Sequence, residues 1–158
     1  EGAGKLLLLG DILYHGPRND LPKDYAPKKV IEILNGMKEE LLCIRGNCDC
    51  EVDQMVLKFP ILADYAAFWL GDLMVWATHG HVYNMNNLPP FKKGDILLHG
   101  HTHIPAAQSF GDGYYYINPG SLSIPKEGSK NSYMILEGRT FTLKSVEDGS
   151  VISSFTVE

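Results

Sequence analysis

No apolar run in this chain approaches the roughly 18 residues that a membrane span needs. Lys5–Leu9 and Leu73–Ala77 are both strand-sized. A membrane partner is therefore not expected. Basic charge is also scarce, with 14 Lys and Arg against 19 Asp and Glu and a formal net charge of −5. That balance provides no diffuse positive surface for gripping extended nucleic acid, so an anionic ligand should be small. Cysteine is limited to Cys43, Cys48 and Cys50. An odd number without the spacing of a disulfide framework suits a reducing compartment, and the cytoplasm is the expected location. Internal repeats, low-complexity tracts and linkers are absent. So is an initiator Met: the chain enters a strand almost at once, which reads as an interior start and leaves no targeting signal to judge.

What is present describes a folded α/β chain. With 158 residues, 44% apolar and 21% charged, residues 1–158 read as a single domain with enough apolar side chains for a core. Lys5–Leu9 is a continuous apolar run ending in Gly10-Asp11, the pattern of a strand buried on both faces. After a loop broken by Gly16-Pro17 and Leu21-Pro22, Pro27 suits a first helical turn. The spacing then predicts a helix to about Gly36, with Val30, Ile33, Leu34 and Met37 inward and Lys29, Glu32 and Asn35 outward. A strand over Leu41–Arg45 and a short helix over Val52–Leu57 follow. From there strands dominate: Ala67–Leu70 and Leu73–Thr78 flank Gly71-Asp72 as a hairpin does, followed by Ile96–His99, Ala107–Phe110, Tyr114–Asn118, Tyr133–Leu136, Thr140–Ser145 and Val151–Val157.

Four polar clusters stand at the ends of predicted strands: Gly10-Asp11, Gly46-Asn47, Thr78-His79-Gly80-His81 and Gly100-His101-Thr102-His103. In α/β sheets, ligands gather outside the carboxyl ends of the strands, and a glycine beside each polar residue permits close approach. Carboxylate, amide oxygen and imidazole donors suit Mn²⁺, Fe²⁺, Ni²⁺ or Zn²⁺ better than Ca²⁺ or an iron–sulfur cluster. Two cations roughly 3.5–4 Å apart need an anion between them, a role open to Asp11. In His101-x-His103 an extended backbone would point both rings the same way, toward neighbouring ions.

Gly-Asp, Gly-Asn-Cys-Asp, Thr-His-Gly-His and Gly-His-Thr-His, in that order, resemble the motif series of the calcineurin-like metallophosphoesterases. The stretches His15–Asn19, Asp53–Met55 and Asn118–Lys126 are similar to those of small bacterial phosphodiesterases of that family. The resemblance implies a four-layer α/β/β/α sandwich with two mixed β-sheets. It also implies a hydrolase of small phosphate diesters with two divalent transition-metal ions, Mn first, with Zn, Fe or Ni as the alternatives. Asp11 would bridge both ions, Asn47, His79 and His101 would hold one, and His103 the other. A metal-bound hydroxide would attack phosphorus, with Asn47, Cys48 and His101 as the catalytic set.

Two departures qualify the likeness. The family opens with Asp-x-His at the end of a first strand, and this sequence has none, so an N-terminal strand and helix are expected to be missing from it. Many members carry His after the motif Asn where this chain has Cys48. Imidazole is the better proton donor at neutral pH, so a preference for good leaving groups and for diesters over alkyl monoesters is expected. His15, Arg18 and His81 are the candidate substrate contacts, against ordinary readings as solvated loop residues and a backbone-bonded histidine. Cys43 reads as core. A rival reading is a scaffold resembling the retromer subunit of this fold, which binds protein partners; the three imidazoles at strand ends argue against it. A homo-oligomer is left open.

Overall fold

The computed structural model describes residues 1–158. Ten strands and two α-helices run in the order β1 (Leu6–Leu8), α1 (Pro27–Gly36), β2 (Leu41–Cys43), α2 (Glu51–Val56), β3 (Tyr65–Leu70), β4 (Leu73–Thr78), β5 (Ile96–His99), β6 (Ala106–Phe110), β7 (Tyr114–Asn118), β8 (Ser132–Glu137), β9 (Thr140–Ser145) and β10 (Val151–Thr156). They form three sheets: a parallel β1-β2 pair, a mixed five-stranded sheet β3-β4-β5-β7-β6, and an antiparallel sheet β10-β9-β8. The expected layered α/β architecture is present, with both α-helices on the β1-β2 side. No helix is long and apolar enough to cross a membrane.

Side-chain alternation explains the packing. On the mixed sheet Val75 and Ala77, Ile96 and Leu98, and Ile117 point to one face and meet Phe141 and Val157 in the main core. A second cluster, built on Leu13, Leu34, Cys43, Leu57, Phe59 and Ile61, lies under the helices. β1 and the residue after it alternate between the two: Leu7 and Leu9 pack on the sheet core and Leu8 on the helical one. β1 is nevertheless not fully buried as its apolar run suggests, and Leu6 is 40% exposed. The reason is that β1 pairs with one neighbour only, in register Leu6↔Leu41 to Leu8↔Cys43.

Helix α1 starts at the proline, as the sequence indicates, but turns differently. Val30, Ile31, Leu34 and Met37 meet the core, while Ile33 is 63% exposed. The apolar face thus contains the i, i+1, i+4, i+7 set, and Ile33 falls outside it. Asn35, expected to face solvent, instead joins the two helices: its Nδ2 donates to the Val56 carbonyl at 2.9 Å and its Oδ1 accepts from the Lys58 N–H at 2.7 Å. Helix α2 opens with a capping box, in which the Asp53 carboxylate accepts from the Cys50 N–H at 2.9 Å.

Cys43 is the core residue its strand position indicates, 2% exposed. Burial, aided by the charge of Asp49, pushes its thiol up to about 12. The native state therefore holds this proton more tightly than the unfolded chain, whose thiol titrates near about 8.5. The stabilisation is complete below that value and is lost as pH rises through the folded pKa. Urea midpoints should accordingly fall between about pH 9 and 12, and Cys43→Ala should flatten the fall. An unchanged slope in that variant contradicts the assignment.

Candidate functional site

The carboxyl ends of β1, β2, β4 and β5 meet. β4 and β5 run parallel, and the Gly100 N–H donates to the His79 carbonyl at 3.0 Å, keeping the loops after them together. Across from them, Gly10 and Gly46 touch backbone to backbone. A Cβ on Gly10 would stand 2.3 Å from the Gly46 nitrogen, and one on Gly46 would stand 2.1 Å from Asp11 Oδ1. Only glycine permits this crossing, which delivers Asp11 to the neighbourhood of Asn47.

The crossing is fastened by Asp49, a residue with no role assigned from sequence. Its carboxylate is 3% exposed and accepts three backbone N–H groups, from Asp11 at 2.8 Å, Ile12 at 2.9 Å and Gly46 at 2.7 Å. A buried carboxylate satisfied in this way fixes both loops. The motif spacing shows an Asp after a strand, which is an ordinary turn residue; only the fold reveals that the two loops converge on it. Asp49→Asn replaces one acceptor by an NH₂ facing an N–H donor. A loss of about 2 kcal/mol is expected, read as a lower urea midpoint, and a loss under about 0.5 kcal/mol would contradict the clamp.

His79 is 3% exposed, and its Nδ1 donates to the Leu9 carbonyl at 2.6 Å. That bond leaves Nε2 to face inward. It lies 3.1 Å from Asn47 Oδ1, 3.1 Å from His101 Nδ1 and 3.4 Å from Asp11 Oδ2. Donor atoms of Asp11, His79 and His101 all fall within 4.8 Å of one another. The Asn47 amide nitrogen is turned away to Cys48 Sγ at 3.3 Å, so its oxygen is the atom presented. Four potential ligand atoms thus converge, and either a His101 Nδ1–H or a charged His79 supplies the proton between the two rings in the absence of a cation.

These residues fit a cation. Atoms bound at about 2.1 Å to one tetrahedral or octahedral ion stand about 3.0–3.4 Å apart as neighbours, which is the spacing of His79 Nε2 from the other three. The three titratable groups also perturb one another. Burial opposes charge on Asp11, yet the His79 hydrogen bond and charge and the Cys48 N–H outweigh it and hold its carboxyl below the ordinary range. Burial likewise opposes charge on His79, but Asp11 overrides it and raises the ring's pKa. Burial and the neighbouring His79 charge lower His101 to about 4, leaving it a neutral donor.

His103 stands outside that group of three. Its Nδ1 donates to the Ile124 carbonyl at 2.9 Å, which leaves Nε2 as its free nitrogen. The backbone between the two rings is not the extended segment expected. His101 and His103 both have φ of 62°, and Asp11 has 57°. Three of the five non-glycine residues in the left-handed region are thus candidate ligands, each at a cost on the order of 1 kcal/mol, so the strain is concentrated here.

His81 is exposed at the mouth, its ring centroid 5.3 Å from His79 and 6.1 Å from His101. Burial and the His79 charge lower its pKa. Cys48 donates its N–H to Asp11 Oδ1 at 2.9 Å, and burial, followed by the Asp11 charge, raises its thiol to about 11. The loop carrying His15 and Arg18 lies against it: a Cβ on Gly16 would be 3.3 Å from Cys48 Sγ, and the Arg18 charge is felt at that sulfur. His15 packs edge-on between Tyr14 and Tyr25, with centroids 4.8 and 5.3 Å away. Beside Cys48 opens an apolar groove of about 400 Å³ walled by Tyr14, Tyr25, Val52 and Val56.

Residues 3–140 match the Calcineurin-like phosphoesterase superfamily domain. Phosphodiesterase YfcE of Escherichia coli strain K12 is 44% identical over 157 residues, covering 99% of this chain and 85% of the relative. The solved structure of E. coli YfcE, described as a phosphoesterase, superposes with a TM-score of 0.94 over 99% of this chain and 86% of that one. A Vps29 structure from Entamoeba histolytica is similar with a TM-score of 0.57 at 21% identity, covering 96% of this chain and 98% of that one, a likeness of fold alone. With strand-end donors gathered as described, the chain belongs to the calcineurin-like phosphoesterase superfamily.

Proposed function

We propose that the chain is a metal-dependent phosphodiesterase acting on small phosphate diesters at a centre for two divalent cations. The observation that carries this is the convergence of Asp11, Asn47, His79 and His101, with His79 Nε2 within 3.1–3.4 Å of the other three donors. These four would hold one ion; Asp11, as the shared anion, and His103 would hold the second. The donor set of carboxylate, amide and imidazole favours Mn²⁺, with Zn²⁺, Fe²⁺ or Ni²⁺ as substitutes. Bound there, divalent cations supply charge neutralisation for the phosphate and an acidified water as nucleophile.

The protein's own groups shape the rest. Leu9 and Ile124 fix the tautomers of His79 and His103 with Nε2 unprotonated, and a ring whose Nε2 held a cation would not be available as a general base. Cys48, with its thiol near 11, is a weak proton donor at neutral pH, which favours esters whose leaving group departs unprotonated. His81, neutral and exposed, would hydrogen-bond a phosphate oxygen, and Arg18, whose charge is felt at Cys48, would bring positive charge to the phosphate. The groove beside Cys48 offers the apolar part of an ester a wall. A net charge of −5 favours small substrates over extended nucleic acid, and three unpaired cysteines suit the cytoplasm.

The deciding experiment measures bound metal, then hydrolysis of bis(p-nitrophenyl) phosphate by chelator-treated protein with and without Mn²⁺. Mn²⁺ should raise the rate at least about tenfold. Wild-type protein that binds no cation and hydrolyses nothing would favour a scaffold that binds protein partners.

A further inference from the structure

Asn118 ends β7 and is 0% exposed. Its Nδ2 lies 3.0 Å from each of three oxygens, the Gly100 carbonyl, the Thr102 hydroxyl and the Tyr116 hydroxyl. Its Oδ1 accepts from the Gly120 N–H at 2.9 Å. Chemistry fixes this orientation, because the Gly100 carbonyl can only accept and the Gly120 N–H can only donate. A flipped amide would set oxygen against oxygen and N–H against N–H.

Gly100 and Thr102 flank His101, and Thr102 precedes His103. The loop they form is unfavourable by itself, with both histidines at φ 62°. Its own backbone bonds are few: Thr102 N–H to the Gly100 carbonyl at 2.7 Å and Gly100 N–H to the His79 carbonyl at 3.0 Å. The segment that begins at Asn118 closes the other side, where Lys126 N–H donates to the His103 carbonyl at 3.1 Å and the Ile124 carbonyl receives His103 Nδ1.

We propose that Asn118 is a positioning residue that holds the Gly100–His103 loop in its left-handed form, and thereby sets the directions of both imidazoles toward bound cations. This rests on the metal-centre reading above. Asn118 has no path to substrate; it acts through the loop. Without its amide the loop relaxes toward negative φ, and the two rings lose their common direction.

The test uses Asn118→Asp, nearly isosteric but facing the Gly100 carbonyl with an oxygen, together with Thr102→Val and the conservative Thr102→Ser. Two quantities are read. One is the Kd for Mn²⁺ by calorimetry; the other is amide exchange at Gly100–Ile104 in chelator-treated protein, which needs no metal. Asn118→Asp should raise Kd about tenfold to a hundredfold and speed loop exchange about tenfold. Thr102→Val should move both in the same direction by less, and Thr102→Ser should restore them. Wild-type Kd and exchange in folded Asn118→Asp would overturn the proposal. If that variant does not fold, the threonine pair decides, and Thr102→Val equal to Thr102→Ser would overturn it. Wild-type protein that binds no Mn²⁺ overturns the metal-centre reading and the cation half of this proposal, while the exchange arm still decides whether Asn118 holds the loop.

Discussion

His101→Ala is expected to lower Mn²⁺-dependent hydrolysis of bis(p-nitrophenyl) phosphate by at least about a hundredfold, with Mn²⁺ affinity falling in parallel. The ring removed places Nδ1 3.1 Å from His79 Nε2 and is the neutral partner of the pair, its pKa lowered to about 4 by burial and the His79 charge. Nothing nearby can replace it: His81 is exposed at the mouth, and His103 stands outside the group of Asp11, His79 and His101. The fold should hardly notice, because His101 is only half-buried and contributes to neither apolar cluster. His81→Ala is the control, with an expected loss below about tenfold, since it would remove a substrate hydrogen bond and no ligand. A His101→Ala enzyme keeping more than a tenth of wild-type activity would remove this ring from the centre.

The position of that ring also shows where a sequence can be read. Strands β5, β7 and β9 fall on the residues anticipated, because each is a run of alternating or continuous apolar side chains with a glycine within two residues of one end. The four strand-end clusters were legible for the same reason: once strands are placed, their carboxyl ends are placed. Helix α1 was harder, since Ile31 and Ile33 are both apolar and 3.6-residue periodicity alone does not choose between them over ten residues. Tertiary contact with Leu34 and Met37 does. Left-handed backbone at His101 and His103 carries no glycine to announce it, so an extended His-x-His was the natural expectation and the structure corrects it.

Two polar residues mark the deeper limit. Asp49 follows a strand as turn aspartates do, and Asn118 opens an Asn-Pro-Gly turn. Their side chains bond across 37 or 38 and 16 or 18 residues of chain, to N–H groups of the first loop and to oxygens of the fourth. Such bonds depend on which loops converge, and convergence depends on sheet order: β5 inserts between β4 and β7. Local pattern predicts the elements; it does not predict which buried acceptor will serve a distant loop.

The glycine crossing should respond more sharply than either of those residues. Gly46→Ala is expected to cost about 4 kcal/mol, lowering Tm by roughly 10 °C, although the change adds one methyl group. Gly46 has no left-handed φ, so the penalty is steric and not conformational. The new Cβ would stand 2.1 Å from Asp11 Oδ1 and 2.3 Å from the Asp11 nitrogen. Neither atom is free to withdraw, because the nitrogen donates to Asp49 at 2.8 Å and Oδ1 accepts from Cys48 at 2.9 Å. Relief requires the β1 and β2 loops to separate, which breaks the Asp49 clamp and carries Asp11 away from His79. Stability and Mn²⁺ affinity should therefore fall together in this variant, whereas His101→Ala loses affinity alone. A Gly46→Ala protein within about 1 kcal/mol of wild type would mean that the loops part easily and that Asp49 does not hold them.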